Sequence, residues 1–281
     1  MAALFVINAA GEQEPFSHQK AYRSARRVGA SGNLARKIAD IVGKEAYPGI
    51  KTSEIFQRIK DLLYKELPRA ALRFNIKEGM RKLGPTGFPF EKYTAEVLRS
   101  FGYQVKINQL LPGHCLKSYE IDFVAQKDKT IYVGECKYRQ LFGERVHSPY
   151  ALANYARFLD IINGQYFKSA KYRDYKIKTL MVTNTKFTTS TLEYASCMGI
   201  ELLGWNYPRG QGLEFLIDQE KLYPVTILPS LRGHLKDIVI QEKIMLVKDV
   251  LKIDVPRFAE RFKLPQKQID SIINEAKSLM E

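Results

Sequence analysis

The sequence predicts an α/β protein with a helical N-terminal region, a central mixed sheet and a helical C-terminal end. Residues 1–84 and 230–281 carry apolar side chains at helical spacing, whereas strand-like runs alternate with helical stretches in 85–229. Two glycines and two prolines in the seven residues 84–90 mark a joint between the first two regions. We therefore predict three parts: 1–84, 85–229 and 230–281.

The N-terminal region begins with one or two short strands around Gly11, followed by helices. The apolar spacing predicts helices over about 18–28 and 31–46. A third helix is expected after Gly49, capped by the stretch Thr-Ser-Glu at 52–54, and a fourth follows it. This region is therefore expected to be mostly helical.

The central region alternates between the two kinds of element. Helices are predicted over 90–101, 149–170 and 189–198, and strands over 103–109, 119–126, 130–137, 179–183 and 200–203. Strands that alternate with helices predict a mixed sheet. The last 50 or so residues are expected to form a small helical bundle.

The charge of the chain favours a polyanionic partner. Its 281 residues include 44 Lys and Arg against 30 Asp and Glu, a net charge of +14, and residues 1–84 carry +8 of it. Basic side chains that neutralise phosphates release condensed counterions, so nucleic acid is the usual partner of such a protein. A basic protein without such a partner remains the alternative.

Several classes of protein are excluded by composition. The three cysteines form no CxxC pair and the four histidines show no metal-ligand spacing, so neither a disulfide framework nor a zinc site is expected. No stretch is apolar enough for a transmembrane helix, and the first residues lack the pattern of a secretory signal. We therefore expect a cytoplasmic protein without a membrane partner.

The chemistry is expected in a hairpin formed by residues 119–125 and 131–137. If Asp128 and Lys129 form a two-residue turn, Asp122 lies opposite Glu135, and Glu120 lies opposite Lys137 on the same face. Two close carboxylates suit Mg²⁺, which takes the rest of its ligands from water and substrate phosphate. Lys137 would orient or acidify a metal-bound water, and the group could hydrolyse a phosphodiester.

The alternative is a surface hairpin whose opposite charges pair weakly across the strands. Both faces of the hairpin carry apolar residues, which favours a buried strand pair whose carboxylates need a metal or a partner. The charged face includes Val124, Ile131 and Val133, and the other face includes Ile121, Phe123, Tyr132 and Cys136. A three-residue turn would separate Asp122 from Glu135 and remove the site.

The central region resembles the PD-(D/E)xK nucleases, in particular the Mrr-type restriction endonucleases, over roughly 85–205. The matching motifs are Phe90-Glu91 with Gly102-Tyr103-Gln104-Val105, then Glu120-Ile121-Asp122, and Glu135-Cys136-Lys137. The resemblance implies that Asp122 and Glu135 bind the metal, that Lys137 serves the water nucleophile, and that Glu91 adds an outer-sphere carboxylate. Ile121 stands where the family name has proline.

Residues 1–84 resemble the ATP-cone, a nucleotide-sensing module. The resemblance implies that Val6, Lys20 and Thr52 contact the base, phosphate and hydroxyl groups of ATP or dATP. The chain departs from the family in its opening, where Asn8-Ala9-Ala10 stands in place of two expected basic residues. Arg23, Arg26 and Arg27 could compensate for that loss, form a solvated face or contact DNA.

Arg157 and Asp160 stand three residues apart in a predicted helix. This spacing predicts an ion pair on one helical turn, with contact to DNA as the alternative.

These observations together predict a metal-dependent DNA endonuclease of the restriction type, using Mg²⁺ and gated by ATP or dATP. A nucleotide-sensing, DNA-binding regulator with a silent nuclease fold is the competing class, and RNA is not excluded as a substrate. Cleavage of both strands by one active site per chain would require a homo-oligomer.

Overall fold

A computed structural model describes residues 4–9, 11–84, 87–141 and 143–280. Pro85 and Thr86, which adjoin the predicted boundary, and Ala10 of the altered cone motif lie outside the described residues. The described chain is mixed α/β, as the sequence predicts. Its strands are β1 (Phe5–Ile7), β2 (Gln13–Pro15), β3 (Ile50–Lys51), β4 (Gln104–Leu111), β5 (Tyr119–Lys127), β6 (Thr130–Lys137), β7 (Arg145–Val146), β8 (Lys176–Thr183), β9 (Lys186–Phe187) and β10 (Glu201–Leu203).

The helices alternate with these strands in the central region, and no named strand follows β10 in the described C-terminal part. They are α1 (His18–Arg27), α2 (Gly32–Glu45), α3 (Thr52–Glu66), α4 (Pro68–Phe74), α5 (Ile76–Arg81), α6 (Phe88–Ser100), α7 (Ser148–Asn163), α8 (Thr189–Met198), α9 (Leu213–Gln219), α10 (Gly233–Gln241), α11 (Val247–Val250), α12 (Val255–Phe262) and α13 (Gln266–Met280). No helix in the described ranges combines the length and the apolar character needed to cross a membrane.

The N-terminal region is a small sheet covered by helices. The strand order is β2-β1-β3, with β1 antiparallel to β2 and parallel to β3. The Ser17 and Ser31 side chains cap α1 and α2 by accepting hydrogen bonds from backbone N–H groups. Helix α3 begins at Thr52 after Lys51, and no side chain caps it, so the predicted cap at 52–54 is wrong.

The central sheet has the strand order β10-β8-β6-β5-β4. The pairs β4–β5 and β5–β6 are antiparallel, and β6–β8 and β8–β10 are parallel, so the sheet is mixed as predicted. Helix α6 packs Phe90, Tyr93 and Val97 on one face, and α7 packs Phe158 and Ile161 on the other. Strand β6 is therefore central in the sheet and covered on both faces.

Helix α7 ends at Asn163, whereas the sequence predicts a helix to about 170. Gly164 is extended (φ −70°, ψ −171°), and two 3₁₀ turns follow at 166–168 and 170–172. A Cβ atom on Gly164 would lie 2.9 Å from the carbonyl carbon of Gly113. The helix therefore ends where the chain passes close against the β4–β5 connection.

One apolar cluster joins side chains from all three predicted parts. Ile76 and Met80 of α5 share it with Phe90 of α6 and with Ile272 and Leu279 of α13. The C-terminal helices thus pack on the same face of the sheet as α6.

Candidate active site

Between Phe123 and the turn, the hairpin of β5 and β6 has the register that the sequence predicts, but the predicted pairs of Asp122 with Glu135 and of Glu120 with Lys137 lie beyond the end of this ladder. Phe123 pairs with Gly134, Lys127 pairs with Thr130, and the turn consists of two residues. Asp128 adopts a positive φ of 51°, which Asp tolerates better than most residues. The Phe123 ring lies where a Cβ atom of residue 134 would be, at 2.1 Å, so only glycine fits opposite this ring.

The regular backbone pairing of β5 and β6 ends before Asp122, where a side chain accepts the next hydrogen bond from β6. The backbone N–H of Cys136 donates to Asp122 Oδ2 at 2.6 Å. On the other side of β5, Asn108 has a positive φ of 51° at the point where the β4 register skips Asp122. Ile121 packs with Ile131 on the α7 face, so its predicted place beside Phe123 is wrong. This irregularity ties the Asp122 carboxylate to the backbone of β6.

Glu135 is a buried carboxylate held between two cations. Its side chain is 6 % exposed and lies on the central strand β6. Lys137 Nζ contacts Oε1, and Arg157 Nη2 lies 2.8 Å from Oε2. Buried charges are stable only when they are paired in this way. Both candidate groups of the Glu-x-Lys motif are therefore in direct contact.

Arg157 reaches this group from helix α7 and was not identified from the sequence as a site residue. Besides Glu135, its guanidinium donates to the Glu120 carbonyl oxygen at 3.1 Å. The predicted pair of Arg157 with Asp160 is wrong, because Asp160 accepts from Tyr119 Oη at 3.0 Å and from the backbone N–H groups of Cys115 and Leu116.

Helix α7 also brings Tyr150 to the edge of the site. This side chain is 41 % exposed. Lys137 Nζ lies 5.5 Å from the ring centroid, and the Arg139 guanidinium carbon lies 4.7 Å from it. Such distances are typical of cation–π contacts. Tyr150, Asn154 and Arg157 recur at helical spacing, a polar stripe that could have been found in the sequence.

Glu91, in the first turn of α6, lies near enough to Asp122 and Glu135 for their charges to act on it. Burial, followed by the negative charges of Asp122 and Glu135, raises the pKa of Glu91 to about 7. Burial and the charge of Glu135 raise the pKa of Asp122 to about 6, against the lowering effects of the Cys136 N–H, Lys137 and Arg157. The carboxylates therefore repel one another at neutral pH.

Glu120, the fourth predicted carboxylate, stands apart from this group. Its side chain is exposed, and within the described ranges its carboxylate forms no hydrogen bond or ion pair. Only its carbonyl oxygen contributes to the site, through Arg157. The described site thus consists of Glu91, Asp122, Glu135 and Lys137, with Arg157 added.

The donor set of this site fits Mg²⁺. In the part of the chain that the structure describes, no three His, Cys, Asp or Glu side chains form a cage for a metal ion. Mg²⁺ does not need one, because it commonly uses one or two protein carboxylates together with water and phosphate oxygens. Asp122 and Glu135 could supply two such carboxylates. Burial, and after it the charges of the neighbouring carboxylates, raises the pKa values at the site, and a bound cation would oppose both effects.

The three predicted nucleotide contacts line one cavity, which we call the N-terminal cavity. Val6 of β1, Lys20 of α1 and Thr52 of α3 meet at this cavity of about 180 Å³. Lys20 Nζ lies 3.3 Å from Glu14 Oε2, which also lines it. The structure therefore brings these residues together although Thr52 is far from Val6 in sequence.

Comparisons with known proteins give relatives of unknown function. An uncharacterized protein of Archaeoglobus fulgidus is 31 % identical over 188 residues, which cover 66 % of this chain and 99 % of the relative. The model of the family "AF1548-like, C-terminal" matches residues 223–280. The chain belongs to the AF1548-like family.

A solved structure of this family has a related fold. The crystal structure of AF1548, described as a protein of unknown function, superposes with a TM-score of 0.58 at 30 % identity. It covers 69 % of this chain, and 98 % of its own length is matched. About a third of the present chain therefore has no counterpart in this AF1548-like structure.

Proposed function

We propose that this chain is a metal-dependent DNA endonuclease of the PD-(D/E)xK type. The observation that carries the proposal is the β5–β6 register, with Asp122 bonded to the backbone of β6 beside Glu135 and Lys137. A bound Mg²⁺ would polarise the scissile phosphate and lower the pKa of an attacking water. The mixed sheet flanked by α6 and α7 is consistent with a restriction endonuclease-like core.

Each side chain then has a distinct role. Asp122 and Glu135 would hold the metal, and Lys137 Nζ would orient the attacking water. Glu91 can accept a proton from water at neutral pH, because its pKa of about 7 lies near the pH of the cell.

The surface around the site supports DNA as the substrate. The net charge of +14 attracts a polyanion, and the exposed Tyr150 ring beside Arg139 offers a face for a base next to a phosphate contact. Cleavage of both strands predicts a homo-oligomer, because each chain supplies one such site.

The N-terminal cavity supports a nucleotide-sensing cone that responds to ATP or dATP. Its volume of about 180 Å³ is below the range of roughly 300–1,000 Å³ typical of whole-ligand pockets. The cavity is therefore suited to a base or ribose, with the triphosphate outside it near Lys20. Binding there would connect α1 and α3 to β1.

The nuclease proposal is tested by the nicking of supercoiled plasmid with and without Mg²⁺, in the presence and absence of ATP and dATP. We expect nicking that requires Mg²⁺ and is lost in Glu135→Ala and Lys137→Ala but retained in Glu193→Ala, a matched variant of an exposed residue of α8. Equal nicking by Glu135→Ala would contradict the assignment. Plasmid binding without nicking under every condition would favour the regulator, and a labelled RNA of the same sequence tests the third possibility.

The nucleotide proposal has a separate test. Isothermal titration of the full chain with ATP and dATP should give weaker binding in Lys20→Met than in wild type. Lys44→Met removes an exposed lysine of α2 and is the matched control. Unchanged affinity in Lys20→Met would place any nucleotide outside the N-terminal cavity.

A further inference from the structure

We propose that the chain has a second ligand site, which binds a small polyphosphate of the nucleoside triphosphate class. The site is the junction cavity, a space of about 660 Å³ between helices α3–α5 and the start of α10. This volume lies within the range of roughly 300–1,000 Å³ that is typical of small-molecule sites. The cavity shares no lining residue with the N-terminal cavity.

The lining of the junction cavity is cationic. Its charged residues are Lys60, Lys82, Arg232 and Lys236, and it includes no aspartate or glutamate. The nearest carboxylate on α5, Glu78, lies outside the lining and pairs with Lys82 at 2.6 Å. The cavity therefore retains an excess of positive charge.

Three of the four cations, Lys60, Arg232 and Lys236, form no ion pair with a described carboxylate, and the Arg232 guanidinium donates to the Pro229 carbonyl oxygen. Lys60 Nζ lies 3.0 Å from the side-chain amide of Asn75. Lys236 is half-buried, and its ammonium group makes no hydrogen bond or ion pair to any described residue. Like charges that face one space repel each other, and a bound polyanion would replace this repulsion with attraction. The charges thus favour a ligand with several phosphoryl oxygens.

The two walls of the junction cavity are locked together, so the cavity exists before a ligand binds. Thr226 Oγ1 donates to the Gly79 carbonyl oxygen at 2.6 Å in a buried contact. A Cβ atom on Gly79 would lie 2.2 Å from Ile227 Cγ2, which shows how closely the walls approach. A preformed site binds more tightly because little conformational freedom is lost on association.

The remaining lining indicates what else the ligand carries. Tyr64 of α3 also lines the cavity and is 58 % exposed. It lies one helical turn after Lys60 on the same helix. An exposed aromatic ring beside cations suits a base attached to phosphates, since bases stack on aromatic faces. The concave shape favours a free nucleotide over duplex DNA, whose backbone presents a convex surface.

The test is isothermal titration of the full chain with tripolyphosphate and with ATP. We expect the double variant Lys60→Met/Lys236→Met to lose at least about tenfold in affinity for tripolyphosphate, because it loses two charge-assisted contacts to the phosphoryl oxygens. The control Lys65→Met/Lys277→Met removes the same charge from exposed positions and should change the affinity less than about twofold. Circular dichroism melts of both double variants check that they fold.

A second comparison separates the base from the phosphates. Tyr64→Ala should weaken ATP several-fold and leave tripolyphosphate unchanged. The proposal is overturned by a wild type that binds neither probe saturably at millimolar concentration, by equal losses in the two double variants, or by ATP binding that only Lys20→Met removes. Loss of plasmid binding in Lys60→Met/Lys236→Met, with unchanged tripolyphosphate affinity, would assign the surface to DNA instead. None of these outcomes depends on nuclease activity.

Discussion

The substitution Asp122→Asn is expected to stabilise the folded chain while abolishing metal-dependent cleavage. The Asn side chain keeps the shape of Asp and can still accept from the Cys136 N–H, but it removes one negative charge. The charges that face Asp122 come from three elements: Glu135 and Lys137 on β6, Glu91 on α6, and Arg157 on α7. Burial and Glu135 outweigh the favourable contacts, so the charge opposes folding.

The magnitude follows from the pKa. A rise in the pKa of Asp122 from 3.8 to about 6 corresponds to about 3 kcal/mol between its two protonation states. Because Asp122 keeps partial contact with solvent, we expect about 2 kcal/mol. The sign follows from linkage: the folded state binds the proton more tightly, so the penalty is absent below pH 4 and is fully present above pH 6.

The assay is urea unfolding of wild type and variant, without added metal, at pH 8 and at pH 4. We expect Asp122→Asn to raise the free energy of unfolding by about 2 kcal/mol at pH 8 and by close to zero at pH 4. Asp270→Asn, at an exposed position of α13, is the control and should show no such difference. A variant that is less stable than wild type at pH 8 would refute the reasoning.

Three further substitutions test other contacts. Gly134→Ala should lower the free energy of unfolding by about 1–3 kcal/mol in urea, because its Cβ would meet the Phe123 ring at 2.1 Å; an unchanged value would contradict the packing. Arg157→Met should lower the free energy of unfolding by about 1–3 kcal/mol in the same assay, because Glu135 loses one of its two cations. A higher free energy of unfolding would contradict this. Burial raises the pKa of Asp160, but its hydrogen bonds outweigh that effect and lower the pKa to about 2. Its stabilisation should therefore be present above pH 4 and lost toward pH 2, and Asp160→Asn should remove that pH dependence from thermal melts.

The hairpin could be predicted because its signals are local. A two-residue turn between alternating runs sets the parity of the register, and parity decides whether Asp122 and Glu135 share a face. The order of strands and helices in the central region follows in the same way, from periods read over ten residues or fewer. These parts of the fold depend little on distant contacts.

The contacts of Arg157 could not be predicted, because they depend on how α7 crosses the sheet. The spacing of Arg157 and Asp160 allows an ion pair within one helical turn. In the structure, Asp160 accepts from two backbone N–H groups of the loop after β4 and from the Tyr119 hydroxyl at the start of β5, and Arg157 pairs with Glu135. Contacts with residues about 20 to 45 positions away in sequence therefore replace the ion pair that the helical spacing predicts. The end of α7 at Gly164 has the same cause, a close approach to Gly113.

The signs of two stability changes together distinguish a catalytic site from a structural ion-pair network. In a network selected for stability, removal of any charged member leaves a buried partner unpaired, so both Asp122→Asn and Arg157→Met would destabilise the chain. Here three carboxylates interact electrostatically with one another, and Glu135 alone is paired with the two cations, so the charge of Asp122 is in excess. If Asp122→Asn raises the free energy of unfolding and Arg157→Met lowers it, the folded chain keeps the Asp122 carboxylate although this group destabilises it. Such a residue is expected where a cation must bind, because only the bound ion offsets the repulsion.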